Sequence, residues 1–282
     1  MTIQLSPRHK VVVFAETNPR AKDLLTTVLP QYPVLIAIGA RARELALEAR
    51  DATPAFSWPA TAEDFTEDWV ESEVARRRAI TENESRLAVF ADIEHNVRCE
   101  LYDLVDDNAN ELITALAEQF GNLLDRLADA VAQLGDHVYT AADAIHAGTA
   151  QAWKQVADMV DEYQDIRTIQ VRLYRGCNTV SIDELRCGDQ DPNVTDPEAR
   201  VYFHRNIAAI APNWRGHRNN SGVTEYATYP WPTDPVERLV WLVHHDSGMW
   251  CPTPNELRDL TNAPAPPIPA TPDRLIHTEV GA

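Results

Sequence analysis

Two pairs of side chains in this sequence have the spacing of metal ligands on a helix. Asp92 precedes His95, and Asp143 precedes His146, by three positions. Residues i and i+3 share a helix face, and such pairs on facing helices hold di-metal centres in bundles. These four residues are therefore candidate ligands for Fe, Mn or Zn. Such bundles normally use glutamate, and an acidic chain produces such matches by chance, so solvated or capping roles are the alternative.

A second set of cysteine and histidine residues lies in the C-terminal part of the chain. Structural zinc sites use short paired spacings such as Cys-x2-Cys, whereas nine residues separate Cys177 from Cys187. Zinc binding, a local disulfide between these two cysteines and idle thiols all remain alternatives. Without a secretory signal, free thiols in a reducing compartment are expected. The set comprises Cys177, Cys187, His204, His217, His244, His245 and Cys251.

No motif that fixes a reaction is present. The sequence contains no Gly-x-Ser-x-Gly, no phosphate-binding glycine loop and no Gly-x-Gly-x-x-Gly. We therefore expect a protein without enzymatic activity and without a cofactor. The basic run Arg76–Arg78 is flanked by acids, so it predicts salt bridges within a helix rather than a nucleic-acid site.

The net charge of the 282-residue chain is −18. Phosphate binding needs clustered Lys and Arg, so this charge argues against direct binding to nucleic acid or to an anionic membrane. The excess is concentrated in residues 61–120, which hold sixteen acidic residues against five arginines. A solvated acidic face is the simplest interpretation. The alternatives are a docking surface for a basic partner and a mimic of nucleic-acid charge.

The elements that would carry these residues lie in a segment without proline, residues 60–191. Because proline is excluded from helix interiors, the segment predicts long helices. We expect three, Thr61–Ile80, Thr81–Leu134 and Thr140–Ile169, with a turn at Gly135-Asp136. Apolar residues from Val97 onward recur at a mean spacing near 3.7, which favours a bundle over a left-handed coiled coil. The second and third helices then form an antiparallel hairpin, whose apolar face needs a covering surface or a second copy.

The two ends of the chain have different patterns. Val11–Ala15 and Val34–Ile38 are short apolar runs joined by a helical stretch, which suggests a small βαβ unit. The C-terminal part is irregular and Trp-rich, with two proline-marked helix starts at Asp234 and Thr253. The predicted organisation is a small α/β unit (1–55), a helical hairpin or bundle (60–170), an irregular region ending in two short helices (171–262) and a proline-rich tail (263–282).

These patterns together predict a mainly α protein whose leading function is non-enzymatic assembly or interaction. Only three of the 25 basic residues are lysine, a composition that suggests a structural or accessory protein of an actinobacterial phage or prophage. The expected partner is a protein or a second copy bound through a helical face, giving a homo-oligomer. With no signal peptide and no apolar run of 18 residues, a cytoplasmic or virion location is expected. A helical metalloprotein and an acidic inhibitor are the alternatives.

Overall fold

The computed structural model describes residues 10–52, 55–176, 203–206, 210, 217–218, 224–225, 231–253, 255–256 and 259. The predicted mainly α class is confirmed. The helices with defined bounds are α1 Lys10–Ala15, α2 Pro19–Val28, α3 Tyr32–Asp51, α4 Glu67–Asp107, α5 Ala109–Leu134, α6 Ala141–Ala147, α7 Ala150–Gly176 and α8 Pro235–His244. Two short strands, β1 His217–Arg218 and β2 Thr224–Glu225, pair antiparallel. Cys177, Cys187 and the proline-rich tail lie outside the described residues.

The predicted N-terminal βαβ unit is wrong, because both apolar runs are helical. Val11–Ala15 lies in α1 and Val34–Ile38 lies in α3. A short apolar run fits a buried strand and a buried helix equally well, and the packing of α1 and α3 decides the outcome here. The helix start between the two runs is confirmed, since Asn18 Oδ1 accepts a hydrogen bond from Ala21 N at 2.9 Å and Pro19 occupies the first helical position.

The core of the molecule is a bundle centred on α5 and α7. Asn18 of the α1–α2 connection donates to Asp165 of α7 at 2.7 Å, and Glu162 of α7 pairs with Arg20 of α2 and Arg126 of α5. The apolar stripe of α5 is covered by these neighbours within one chain, so the face for which the sequence predicted either a covering surface or a second copy is covered internally. Its buried members include Leu112, Leu116, Phe120, Leu123, Leu127, Val131 and Leu134.

The long helices break at different places from those predicted. The helix α4 runs through Ile80 without interruption, because the Thr81 hydroxyl donates to Arg77 O inside the helix and does not cap a new one. The break falls at Asn108, whose side chain donates to Leu104 O at 2.8 Å. The turn at Gly135 is present with φ 89°, and the predicted third helix is interrupted at Gly148, where φ is 75°. Glycine adopts these positive φ values without strain.

The helices α3 and α4 form an antiparallel hairpin outside this bundle. Asn83 Nδ2 donates to Ala49 O at 3.1 Å, and a Cβ added to Gly39 would lie 3.3 Å from Val97 Cγ1. Most of the α4 residues between Trp69 and Leu101 that are not exposed form a row spaced alternately four and three positions apart, which is the heptad spacing of a coiled coil; Ala79 and Ile93 lie outside this row. The 3.7 spacing therefore describes α5 and does not extend upstream of Val97. The heptad residues are Trp69, Glu73, Arg76, Ile80, Asn83, Leu87, Phe90, Glu94, Val97 and Leu101.

We call α3, residues 55–66 and α4 up to Leu101 the arm. The hydrophobic core of the bundle reaches into it only as far as Ile36 on α3 and Val97 on α4. Most of the arm is therefore held by one helix packing on another. Taken alone, no helix among the described residues has the length and apolarity to cross a membrane; α2 and α3 together meet that test but are bent by 116°.

Candidate functional site

The predicted metal ligands lie on two separate helices. Asp143 caps α6: its Oδ2 accepts hydrogen bonds from Thr140 N at 3.0 Å and from the Thr140 hydroxyl at 2.8 Å, forming a capping box. The hydroxyl bond lowers the pKa of Asp143, as expected for a carboxylate engaged at a helix start. His146 is exposed in the last turn of α6.

The other pair, Asp92 and His95, is exposed on α4. His95 Nε2 lies 3.7 Å from Cys99 Sγ in the next turn. The helix α4 pairs with α3, whereas α6 packs on α7. Across the described ranges, no group of three or more His, Cys, Asp and Glu side chains could hold a metal ion. The structure therefore does not bring the two Asp-x-x-His pairs into one cluster.

The C-terminal histidines and cysteine also have separate environments. His204 is 1% exposed beside Trp231, and its pKa is lowered to about 3 by burial and by the charge of Arg167. His245 stacks on Trp241 with ring centroids 3.9 Å apart. Cys251 is buried 3.6 Å from the Tyr174 hydroxyl, and burial raises its pKa to about 11. Such a thiol is protonated and unreactive at neutral pH.

Arg167 joins α7 to the C-terminal segments and, at 7% exposure, is the most buried arginine among those whose side chains the structure describes. Its guanidinium donates to Trp250 O at 2.7 Å and to Phe203 O at 3.1 Å. It also lies over the ring of Phe120, 4.2 Å from the centroid. Among the described residues no carboxylate pairs with it, so carbonyl dipoles and aromatic faces solvate this cation. This arrangement is a structural clamp.

A cleft of about 340 Å³ lies beside this clamp, between the outer face of α5 and residues 248–251. Arg205 and Glu256 both line it and form an ion pair at 3.3 Å. The Arg205 guanidinium also stacks over Trp250, 4.1 Å from the ring centroid. Because the two charged groups neutralise each other, neither is left to orient a ligand in the cleft.

The distal end of the arm carries an exposed aromatic cluster, which we call the aromatic tip: Phe56, Trp58, Phe65 and Trp69. Phe56 meets Trp58 edge-on with centroids 5.0 Å apart, and Phe65 lies 5.2 Å from Trp69. Trp58 is 78% exposed, Phe65 60% and Phe56 42%. Among the described residues of the bundle, no pair of Phe, Tyr or Trp rings in contact is this exposed.

Local hydrogen bonds hold the tip in place. Thr61 and Asp64 form a capping-type interaction at the start of the predicted helix Thr61–Ile80, with Thr61 N donating to Asp64 Oδ2 at 2.9 Å. This interaction orders the turn before Phe65 and does not start a helix. The helix α4 starts after Thr66, whose hydroxyl accepts a hydrogen bond from Trp69 N at 3.3 Å.

An arginine completes the tip. The Arg76 guanidinium lies over the Phe56 ring, 4.9 Å from its centroid. Glu73 holds it with two hydrogen bonds of 2.7 and 2.8 Å and binds Arg77 at 2.9 Å. The bond with Arg76 is the main reason that the pKa of Glu73 falls to about 2. The salt bridges predicted for the arginine run are thus present at Arg76 and Arg77.

The tip is surrounded by acidic side chains. Residues 61–74 contain six carboxylates and no basic residue. Glu63, Glu67, Asp68 and Glu71 are exposed and form no ion pair within the part of the chain that the structure describes. An exposed apolar patch with a polar rim is the usual mark of a protein-binding surface.

The aromatic tip is not predicted from the sequence, because Phe56 and Trp58 fall between the predicted α/β unit (1–55) and the predicted helical hairpin (60–170). The available signal was the placement of four aromatic residues between positions 56 and 69 in an acidic, polar stretch. Other apolar residues of the arm are also exposed, namely Val34, Ile38, Leu47, Val70, Val74 and Val89. Of these, Val70 and Val74 share one face of α4, within its first two turns.

The fold and this surface define a class: a helical-bundle protein that carries a two-helix arm with an exposed aromatic tip. No protein-family model, no curated protein and no solved structure matches the chain.

Proposed function

We propose that this protein is a non-enzymatic interaction protein that docks a protein partner through the aromatic tip of its arm. The observation that carries the proposal is the exposure of Phe56, Trp58 and Phe65 in one cluster, at 42%, 78% and 60%. Tryptophan is among the residues most enriched where binding energy concentrates. Covering the exposed part of one tryptophan removes about 150 Å² from water, which favours association by about 4 kcal/mol before ordering costs.

The construction of the arm supports the same function. Its helices pack on each other through a heptad seam, with small residues such as Gly39 and Ala42 of α3 facing α4. This packing carries the tip beyond the core and leaves its outer surface uncovered. The arm thus presents an apolar, acid-rimmed surface in the segment that connects two regular helices. The flanking helices and the Thr61–Asp64 hydrogen bonds order this segment before a partner arrives, which lowers the cost of binding.

Site-specific photo-cross-linking tests this proposal. A photoreactive phenylalanine analogue replaces Trp58 in one protein and Ile145, which is 68% exposed on α6, in a matched control. After irradiation in the cells that produce the protein, position 58 should give a discrete adduct with one polypeptide, whereas position 145 should not. The proposal fails if position 58 gives no adduct, or gives the same adducts as position 145.

The other predicted functions keep their own tests. Metal analysis of the purified protein that finds no Fe, Mn or Zn removes the metalloprotein alternative with Asp92, His95, Asp143 and His146. An acidic inhibitor that mimics nucleic acid needs only charge, whereas the exposed aromatic rings favour a partner with apolar groups. The phage or prophage assignment rests on composition and stays a prediction. So does self-association, which light scattering against the 31.6 kDa monomer mass tests.

A further inference from the structure

We propose that the segment received by the aromatic tip is basic and amphipathic, with arginine or lysine side chains flanking two or three apolar ones. This inference rests on the proposed function and names the chemistry of the partner. It follows from two properties of the tip, its charge and the open faces of its rings.

The charge around the tip selects a cationic partner. Four exposed carboxylates, those of Glu63, Glu67, Asp68 and Glu71, have no ion-pair partner among the described residues. The nearest basic groups in the sequence, Arg76 and Arg77, are already bound to Glu73. A basic segment meets complementary charge on approach, which raises its association rate and its specificity. A second copy of the same tip would bring like charges together.

The rings of the tip already accommodate a guanidinium. Arg76 lies over Phe56 at 4.9 Å, so an arginine stacked on an aromatic face is compatible with the local backbone. Trp58 and Phe65 are more exposed than Phe56, and their faces are available to a cation from outside. Tryptophan is the strongest cation–π acceptor among the side chains. The partner's cations therefore have two kinds of site, ring faces and carboxylates.

The apolar part of the partner fits beside these sites. Val70 and Val74 are 37% and 42% exposed and lie one turn apart on α4, next to Trp69. Both valines belong to the first two turns of the helix that begins just after the tip. Two exposed valines and three exposed rings within residues 56–74 offer apolar surface to two or three apolar side chains of an amphipathic segment.

Synthetic peptides test the partner's chemistry. The probe is a fluorescein-labelled, 18-residue amphipathic helix with leucines on one face and arginines beside them. One control peptide carries glutamine in place of every arginine. The other keeps the composition but scrambles the order, which removes the apolar face. Binding is measured by fluorescence anisotropy at low and at high salt.

Two matched sets of variants locate the binding site. Glu67→Gln, Asp68→Asn and Glu71→Gln together remove three charges at the tip. Glu82→Gln, Glu84→Gln and Asp92→Asn remove three exposed charges elsewhere on α4. Trp58→Ala removes the most exposed ring, and Leu47→Ala, at 59% exposure, is its apolar control. Circular dichroism confirms that each variant is folded.

The expected result is that the arginine peptide binds and that Trp58→Ala weakens it at least about tenfold, as for an interface hot spot. The tip triple variant should weaken binding by a similar factor and reduce its salt dependence. The α4 control triple and Leu47→Ala should stay within about twofold of the unmodified protein, as surface positions outside the interface do.

Five results would overturn the inference. If the glutamine peptide binds as tightly as the arginine peptide, the partner does not have to be basic. If the scrambled peptide binds equally well, the partner does not have to be amphipathic. If the two triple variants weaken peptide binding equally, the effect comes from the overall charge of the protein and not from a site at the tip. If the protein forms a dimer that Trp58→Ala abolishes, the tip is occupied by a second copy of the same chain. Absence of peptide binding alongside a discrete cross-link at position 58 refutes the basic partner and leaves the proposed function standing; loss of the cross-link refutes the proposed function itself.

Discussion

Replacing Arg167 with methionine should loosen the C-terminal segments from the bundle. The guanidinium supplies hydrogen bonds to two carbonyls of those segments, Trp250 O at 2.7 Å and Phe203 O at 3.1 Å. It also packs on the ring of Phe120 at 4.2 Å. Methionine keeps the apolar stem of arginine out to about the position of Nε, but it lacks the guanidinium and donates no hydrogen bond. The variant therefore removes the donors and the stacking on Phe120 while it keeps the packing of the stem.

The magnitude follows from these contacts. Each buried carbonyl that loses its donor costs about 1–3 kcal/mol. Stacking on an aromatic ring contributes about 0.5–2 kcal/mol more when it is shielded from water. Removing a buried cation also removes its desolvation cost, which offsets part of the loss. We expect a net decrease of about 3 kcal/mol in the free energy of unfolding of the C-terminal segments.

Urea denaturation measures this decrease. Tryptophan fluorescence, measured in a background with Trp58, Trp69 and Trp153 replaced by phenylalanine, reports on the C-terminal part of the chain, which holds the other four tryptophans. Far-ultraviolet circular dichroism reports on the bundle. Arg126→Met is the matched control: this arginine is 54% exposed in its ion pair with Glu162. Its loss should cost less than about 1 kcal/mol, the usual limit for a surface ion pair.

Arg167→Lys separates charge from geometry. Lysine keeps the cation but lacks the planar fork that reaches two carbonyls while stacking on Phe120. It should lie between the native protein and Arg167→Met in stability. The clamp interpretation is refuted if the free energy of unfolding of Arg167→Met lies within about 0.5 kcal/mol of that of the native protein, which is the range of an ordinary surface substitution.

Two further predictions concern the arm and His204. Gly39→Leu should separate α3 from α4, because even a Cβ at this position lies 3.3 Å from Val97 Cγ1; a lower melting temperature by circular dichroism measures the loss. His204 has a folded-state pKa of about 3, below the 6.5 of an unperturbed histidine. Below pH 6.5 the unfolded chain takes up a proton that the folded chain does not, so stability should fall by up to about 1.4 kcal/mol per pH unit as the pH is lowered towards 3. Urea midpoints at pH 7 and pH 5 for His204→Gln and the native protein measure this slope.

Each of these predictions has a control and a contradicting outcome. Gly121→Leu tests a helical glycine whose added Cβ meets no atom within 4 Å, and it should not lower the melting temperature. Equal losses for the two glycines would show that close packing at Gly39 is not the cause. Carboxylates also titrate on acidification, so the comparison with His204→Gln isolates the histidine. Identical pH slopes in both proteins would contradict the buried, neutral His204.

Local signals in the sequence were sufficient for the helix caps. Asn18, Thr140 and Asp234 each accept a hydrogen bond from a backbone N–H of the helix that follows, as their residue types and the adjacent motifs predict. A cap needs only neighbours within three or four positions, so no tertiary contact has to be known. The same signal misled at Thr81, where a hydroxyl inside a continuous helix bonds back to Arg77 O.

The mainly α class followed from the absence of proline over residues 60–191 and from the periodicity of the apolar residues. The apolar runs at Val11–Ala15 and Val34–Ile38 did not distinguish strand from helix. The packing of α1 and α3 decided between them, because a run of five apolar residues satisfies either periodicity.

The sequence alone determined which residues are apolar, acidic or able to cap a helix, and hence a helical protein with a large negative charge. Only the tertiary structure decided which apolar residues are covered. The stripe of α5 is buried against α7 within one chain, although its pattern equally suits a contact between copies. Phe56, Trp58 and Phe65 are left exposed, although their residue types predict burial. The physical reason is that burial depends on which surfaces meet, and residues distant in the chain supply those surfaces.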